Sequence, residues 1–403
     1  RKRNKFMKQI FLFVLLIQFS QGSTLTLKNV LSSANNNNAL TKAIDEERLL
    51  LKARNLADTA TDPMELYGTG TRAYPEFGNN DYEYSVGVSK QLSWGNTQEE
   101  DQTITRLNNE AYLLEEDKKV LNFKNGLKNL YHQHCLDYKN YKSVKQNYQD
   151  FSTLYKKKQK AYKYQEISKT ELMQLEIEKN RLYAMLQEIQ MEQKISKNKL
   201  FILGGIKHSQ KTVLSCSDMY PIRKNVDLKE NTFKLSKEAH QKRIQSTQVA
   251  LERHSKALDS INLSVQYDKE IDIDKYSVGV SIPLAFTSKR SEQERAAAMH
   301  KNAALGFQYE QTMSEKNSML SELRSTLKSK AMLISSLKNN LHDYKKNLLP
   351  LIKKSYDLGE SSVIEYLLNR QNYHTLKQEL FATEKAYYHT LFTLYTLSET
   401  KDN

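Results

Sequence analysis

The chain has 403 residues, of which 27% are Asp, Glu, Lys or Arg, only 12 are Gly and 5 are Pro, and its mean hydropathy is −0.70. A chain this polar and this poor in breakers does not suit one ordinary globular core; it suits long helices with narrow apolar seams. The formal charge is +14, but the Lys and Arg residues are spread among Glu along helical stretches, which reads as solvated helix faces and argues against a nucleic-acid binder.

Arg1, Lys2, Arg3, Lys5 and Lys8 precede an apolar run from Ile10 to Ile17, and Ser20-Gln21-Gly22 offers small residues for a cut after Gly22. Residues 1–22 are expected to be a secretory signal peptide, with an apolar stretch too short to span a membrane. No cysteine follows the cut, so no N-terminal lipid is expected, and no other apolar run approaches 18 residues. An exported chain of this kind is either soluble outside the membrane or inserted as a β-barrel.

A helix is predicted over residues 25–57, followed by two strands. The first, near 66–74, alternates poorly. The second alternates over more than ten residues: Tyr82, Tyr84, Val86, Val88, Leu92 and Trp94 share one face, with Lys90 the exception, and Glu83, Ser85, Gly87, Ser89, Gln91 and Ser93 share the other. Residues 96–163 contain no Pro and one Gly, which predicts a single helix about 100 Å long. After a break, a second helix carries Leu172, Leu175, Leu182, Leu186, Ile189, Leu200 and Leu203 at heptad-like spacing.

The same order then recurs. A helix is predicted over 232–258. One strand alternates Ile261, Leu263, Val265 and Tyr267 against polar residues, and the next runs through Tyr276, Val278, Val280, Ile282, Leu284 and Phe286. Residues 291–349 contain no Pro, and Leu320, Leu323, Leu327, Ile334, Leu337, Leu341 and Leu348 continue the heptad spacing. The recurrence is a duplication. Tyr84-Ser-Val-Gly-Val-Ser-Lys-Gln-Leu92 matches Tyr276-Ser-Val-Gly-Val-Ser-Ile-Pro-Leu284 at seven of nine positions and an offset of 192; Tyr162-Lys-Tyr-Gln-Glu-Ile-Ser168 lies opposite Tyr356-Asp-Leu-Gly-Glu-Ser-Ser362 at an offset of 194. Two anchors at nearly one spacing define a first repeat at 23–205, an inter-repeat linker at 206–230 and a second repeat at 231–403. Four strands cannot close a barrel and lipid does not tolerate open edges, so strands in a membrane would require the chain to oligomerise, and three copies would give twelve strands.

Taken together, Leu349-Pro350, the stretch from Tyr356 through Gly359 to Leu367, the helix from Asn372 to Leu397, Leu200-Phe-Ile-Leu-Gly-Gly205 and the two Tyr-Ser-Val-Gly-Val-Ser strands resemble the TolC-type outer-membrane factor family over essentially the whole mature chain. That resemblance implies a mainly α fold with a small membrane β-barrel segment. It implies two homologous halves, each helix, two strands, long helix and helix, and a homotrimer with a 12-stranded barrel in outer-membrane lipid on an α-helical periplasmic tunnel. It further implies a passive exit duct of a tripartite efflux or type I secretion system. The partners would be a periplasmic adaptor protein and an inner-membrane pump such as an RND or ABC transporter, with no nucleic acid and no cofactor. The helix turns that would meet the adaptor fall at Gln165, Glu166, Ile167 and Ser168 and at Gly359, Glu360, Ser361 and Ser362. The carboxylates that would line the aperture fall at Glu171 and Glu365, each of which is equally a first-turn helix residue favoured by the helix dipole. Gln165 stands where the second half has Gly359, which predicts a differently shaped first turn.

His132, His134 and Cys135 invite a metal reading, but on a helix His134 leaves the face that the other two share, so no metal site is expected. Cys135 and Cys216 are expected to be two free thiols. No phosphate loop, HExxH or nucleophile elbow is present, and an enzyme is not expected. The competing reading is an exported coiled-coil scaffold or adhesin with a small soluble sheet.

Overall fold

The computed structural model describes residues 24–74, 81–206, 213–228, 232–256, 258–283 and 289–400. The expected signal peptide at 1–22 and the strand residues Leu284 and Phe286 lie outside these residues, as do parts of the linker. In chain order the elements are β1 (Thr24–Leu25), α1 (Leu27–Asn37), α2 (Ala39–Asp58), β2 (Glu65–Ala73), β3 (Asp81–Ser93), α3 (Thr97–Lys163) and α4 (Lys169–Leu203). They continue as β4 (Val213–Leu214), α5 (Lys234–Arg253), β5 (Ser260–Lys269), β6 (Asp274–Ser281), α6 (Arg290–Asp343), a π turn at Tyr344–Leu348, α7 (Leu349–Asp357) and α8 (Val363–Ser398). The order of helix, two strands, long helix and helix therefore occurs twice.

The chain divides into two compact units. The unit made from 44–119 and 233–317 holds a four-stranded antiparallel sheet in the order β2-β3-β5-β6. The pairing of β3 with β5 joins strands of the two halves. The register lines side chains up in rows. Leu66, Val88, Val265 and Val278 form one row across all four strands, and Tyr67, Gly87, Gln266 and Ser277 form the next, on the opposite face. The polar face is internally bonded: Tyr67 donates to Gln266 Oε1 at 3.0 Å, Thr69 and Ser85 lie 2.6 Å apart, and Gln91 donates to Ser260 at 2.9 Å. The Tyr67 ring lies over Gly87, where a Cβ would come within 2.4 Å of it. The apolar face is uncovered: Tyr82, Val86, Leu66, Val265, Tyr276 and Val278 are all exposed, the last at 79%. On that face β2 offers only Leu66, Gly68, Gly70 and Arg72, which is why its alternation is faint in the sequence. Helices α2 and α5 are tied to the start of α3 by ion pairs, Arg48–Asp117 at 2.5 Å, Lys242–Glu110 at 2.7 Å and Arg243–Glu115 at 2.8 Å.

The second unit combines residues up to 43 with 120–232 and 318–403. Its core gathers Leu27, Val30 and Ala34 of α1, Leu127, Tyr131 and Cys135 of α3, Leu200 and Phe201 of α4, and Leu214 of β4. β1 and β4 pair in parallel, bringing the linker beside Thr24 and Leu25. The linker is then clamped at three points. Tyr220 N–H donates to His132 Nε2 at 2.9 Å, and Tyr388 Oη donates to the Tyr220 carbonyl at 2.6 Å. Tyr387 Oη accepts from Arg223 N–H at 2.9 Å. These bonds satisfy backbone groups that a buried loop would otherwise leave unpaired.

The same docking overturns the expectation of free thiols. Cys135 and Cys216 form a disulfide, with Cα atoms 5.6 Å apart and 81 residues between them in sequence. Cys135 is fully buried in the core that the linker covers, and the β1–β4 pairing delivers Cys216 to it. The residues weighed as metal ligands are otherwise engaged. His132 places Nδ1 2.7 Å from the Lys128 carbonyl and is enclosed by the rings of Tyr220, Tyr388 and Phe392, while His134 contacts Ser196 Oγ at 3.0 Å. Among the described residues no cluster of metal-ligating side chains occurs, and no helix is long and apolar enough to cross a membrane.

Two stability predictions follow from this unit. A disulfide that closes so long a loop constrains the unfolded chain, so Cys216→Ser should lower the unfolding free energy by about 2–4 kcal/mol in urea titrations of the detergent-solubilised protein. Unchanged stability would show that noncovalent docking alone holds the linker. Burial pushes the imidazoles of His134 and His374 down to about 4, from an ordinary 6.5. Nearby Arg370 and Lys377 add to the effect on His374. The unfolded chain therefore takes up these protons first as pH falls. Stability is complete above about pH 6.5 and declines toward pH 4. The thermal midpoint should fall through that window, and His134→Asn should flatten the decline.

Candidate functional site

The two helix turns are built alike. In the first, Gln165 N–H donates to the Tyr162 carbonyl at 3.0 Å and Glu166 N–H reaches back to Ala161 at 3.0 Å. In the second, Gly359 N–H donates to Tyr356 at 3.1 Å and Glu360 N–H to Ser355 at 2.9 Å. This is the same C-terminal cap, which requires a left-handed residue just past each helix. Gly359 supplies it at φ 77°, and Gln165 supplies it at φ 63°. The expectation of a differently shaped first turn is thus corrected. The hydrogen-bond pattern of the cap dictates the conformation, and Gln165 accepts it at a cost of about 1–2 kcal/mol.

Each turn ends on a serine N-cap. Ser168 Oγ accepts from Glu171 N–H at 3.0 Å and Ser362 Oγ from Glu365 N–H at 3.2 Å, with cap dihedrals of −77°/157° and −76°/158°. The spacing Ser-x-x-Glu is the sequence signature of such a start. Leu348 is followed directly by α7, whose second residue is Pro350. Proline removes an N–H and crowds the carbonyl four residues back. The helix accommodates it by widening into the π turn at Tyr344–Leu348, where Leu349 N–H bonds to the Tyr344 carbonyl. The first half, with no proline in α3, has no such interruption.

The two carboxylates expected at the aperture are treated differently. Glu171 is held from the opposite turn: Tyr356 Oη donates to its Oε1 at 2.6 Å, and Lys158 Nζ lies 3.5 Å from the same oxygen and 4.1 Å from the Tyr356 ring centre. Tyr356 stacks on Tyr366 at 4.6 Å, and Arg370 donates to Tyr366 Oη at 2.9 Å and to Asn147 at 2.5 Å. The result is a connected path from the first turn through the second and back to α3. Burial and the bond to Glu171 raise the Tyr356 phenol well above its ordinary range, so it stays a donor at any physiological pH. The Glu365 carboxylate is exposed and has no bonding partner among the described residues. No direct contact joins Glu171 to Glu365. Of the docking residues, Gln165, Glu166, Ser168, Gly359, Glu360 and Ser362 are exposed, while Ile167 and Ser361 are half-buried.

Helix α4 carries a second apolar seam. Its buried positions are Leu175, Leu182, Leu186, Ile189, Leu200 and Phe201, but Met173, Ile177, Met191, Ile195 and Ile202 repeat on another face and are all exposed. An apolar seam at coiled-coil spacing left in water implies a further helix against it.

No protein-family model matches the sequence, and no curated protein matches it. Solved structures do. The chain aligns with CusC, described in connection with transmembrane channel formation, at 16% identity over 94% of this chain and 95% of that one, with a TM-score of 0.75. It aligns with the CmeC outer membrane channel of Campylobacter jejuni at 15% identity over 93% and 87%, with a TM-score of 0.73. The open MtrE outer membrane channel of Neisseria gonorrhoeae gives 11% over 93% and 89%, at 0.72. This chain has the TolC-type outer-membrane channel fold. Within that fold, Tyr356, Lys158, Tyr366 and Arg370 are the functional candidates that sequence reasoning did not single out. The Tyr162–Tyr356 correspondence of the duplication and the stretch from Tyr356 to Leu367 that carries the family resemblance pointed toward two of them, without a role.

The paired turns make a matched test. Gln165→Gly should stabilise the protein by about 0.5–1 kcal/mol, because relief of left-handed strain exceeds the added chain entropy. Gly359→Ala should destabilise it by about 1–2 kcal/mol. Equal effects of opposite residues, read as shifts in urea midpoint, would contradict the shared cap.

Proposed function

We propose that the chain is one protomer of an outer-membrane channel whose strands lie in outer-membrane lipid and whose helices form a periplasmic tunnel. One observation carries this reading. The sheet of β2, β3, β5 and β6 exposes a continuous apolar face, bonds its polar face internally, and leaves β2 and β6 as open edges. Water opposes the first feature and lipid the last. Closure of the edges onto further copies satisfies both, and three copies give a 12-stranded barrel. The exposed seam on α4 supports the same assembly, because a homotrimer supplies the missing helix.

The helix turns at 165–168 and 359–362 are assigned to a periplasmic adaptor, and through it to an inner-membrane pump of the RND or ABC type, in an efflux or type I secretion system. This assignment rests on the family resemblance of those turns. Glu171 and Glu365 are assigned to the aperture, with different parts. Glu365 presents a free carboxylate that would attract cations in a narrow mouth. Glu171 is one end of a tie between the two turns. A hydrogen bond to a charged acceptor contributes about 1.5–3 kcal/mol, enough to bias a closed state by tenfold or more.

Outer membranes washed with carbonate should retain the protein, and the purified protein should conduct ions across planar bilayers; release by carbonate together with no conductance would favour the scaffold. In those bilayers Tyr356→Phe should raise the open fraction by about tenfold. An unchanged open fraction would remove Tyr356 and Glu171 from gating.

A further inference from the structure

The two turns share one backbone shape and one pattern of capping, so shape cannot tell a partner which turn it has met. Their charges differ. Lys156, Lys157, Lys160, Lys163 and Lys169 surround the first turn, all exposed, and none has a carboxylate partner among the described residues. Lys158, between them, is the one that pairs, with Glu171. Lys156, Lys160 and Lys163 follow one another at helical spacing and form a single ridge on the last two turns of α3. Like charges at this spacing repel, and the fold does nothing to offset them here, whereas in the sheet-bearing unit cations of α2 and α5 meet carboxylates of α3. Within residues 156–169 the one carboxylate is Glu166. Beside the ridge, Tyr164 is 78% exposed at the apex.

At the second turn the corresponding positions read otherwise. Lys163 is replaced by Asp357, Lys156 by Pro350 and Lys157 by Leu351; Lys160 alone keeps its charge, as Lys354. Leu358 takes the place of Tyr164 and is likewise exposed, at 62%. Each turn thus presents an apolar apex residue, which anchors well when desolvated, with a basic surround at the first and a mixed one at the second.

We propose that the first turn docks an acidic protein segment, a helical tip carrying Asp or Glu around an apolar pocket for Tyr164, and that charge rather than backbone shape distinguishes the two turns for the partner. The proposal rests on the assignment of the turns to an adaptor and names the chemistry of the adaptor surface that meets turn one. Complementary charge of this kind sets partner choice and association rate, and it weakens steeply with salt.

The test uses full-length, detergent-solubilised trimer and two fluorescent helical-hairpin peptides identical except for Glu or Lys at the tip. The Glu-tipped probe should bind at least tenfold more tightly than the Lys-tipped one at low salt, and lose that advantage at high salt. The triple variant K156E/K160E/K163E, with helical content and thermal midpoint like wild type, should reverse the preference; K354E should leave it intact. Equal binding of the two peptides, binding of neither, or the same loss from K354E overturns the proposal. So does binding of phosphatidylglycerol vesicles through the ridge in place of the peptide, which would identify a lipid surface as its partner. Conductance of the wild-type trimer, measured in parallel, reports on the channel reading separately. A conducting trimer with no charge preference discards only the acidic partner.

Discussion

An antiparallel sheet with one apolar face open and two unpaired edges is the constraint on which everything else in this chain depends. The face is not an accident of one strand. Leu66, Val88, Val265 and Val278 meet in one row, so four strands from two halves of the chain contribute to it. Such a surface is stable only where water is absent, and unpaired edges are stable only where water is present or a further strand pairs with them. Self-association in a bilayer meets both conditions, and it gives a purpose to the second seam of α4, which the single chain also leaves uncovered. The bonded polar groups on the other face, from Tyr67 to Gln266 and from Gln91 to Ser260, suit a watery interior.

The duplication explains why the site is nearly symmetric and where it is not. Cap geometry is held so firmly that Gln165 occupies a conformation its partner position gives to glycine. Side-chain chemistry at the same turns has drifted. Glu171 is bound by Tyr356, while Glu365 is free. A proline and a π turn precede one turn, and an unbroken helix of 67 residues precedes the other. Two copies of one scaffold have thus become two unlike surfaces.

What was legible in the sequence follows the range of the interactions concerned. Period-two alternation and long stretches without breakers are local, and the elements appear where those signals put them, with α3 running Thr97–Lys163 against an expected 96–163. The predicted helix at 25–57 is interrupted at Asn38, whose extended backbone separates α1 from α2. The disulfide was misread because its cause is remote. Cys216 reaches Cys135 through the β1–β4 pairing and the clamps on Tyr220 and Arg223, and none of these leaves a mark near either cysteine. The tie from Tyr356 to Glu171 spans 185 residues and was invisible for the same reason. Gln165 was misjudged because residue preference was taken for a requirement, when the hydrogen bonds of the cap set the backbone.

The Cys135–Cys216 bond also bears on the order in which the molecule can be made. Both cysteines and the buried cluster around them, from Leu27 to Leu214, lie before position 217, whereas the clamps from Tyr387 and Tyr388 come from the second half. The sheet has no such independence. β3 pairs with β2 inside the first half, but its second neighbour arrives only with β5, 167 residues after β3 ends at Ser93. A chain delivered from its N-terminus could therefore close the disulfide while β3 was paired on one edge only, and that interval is when a chaperone for exposed strands would be needed most.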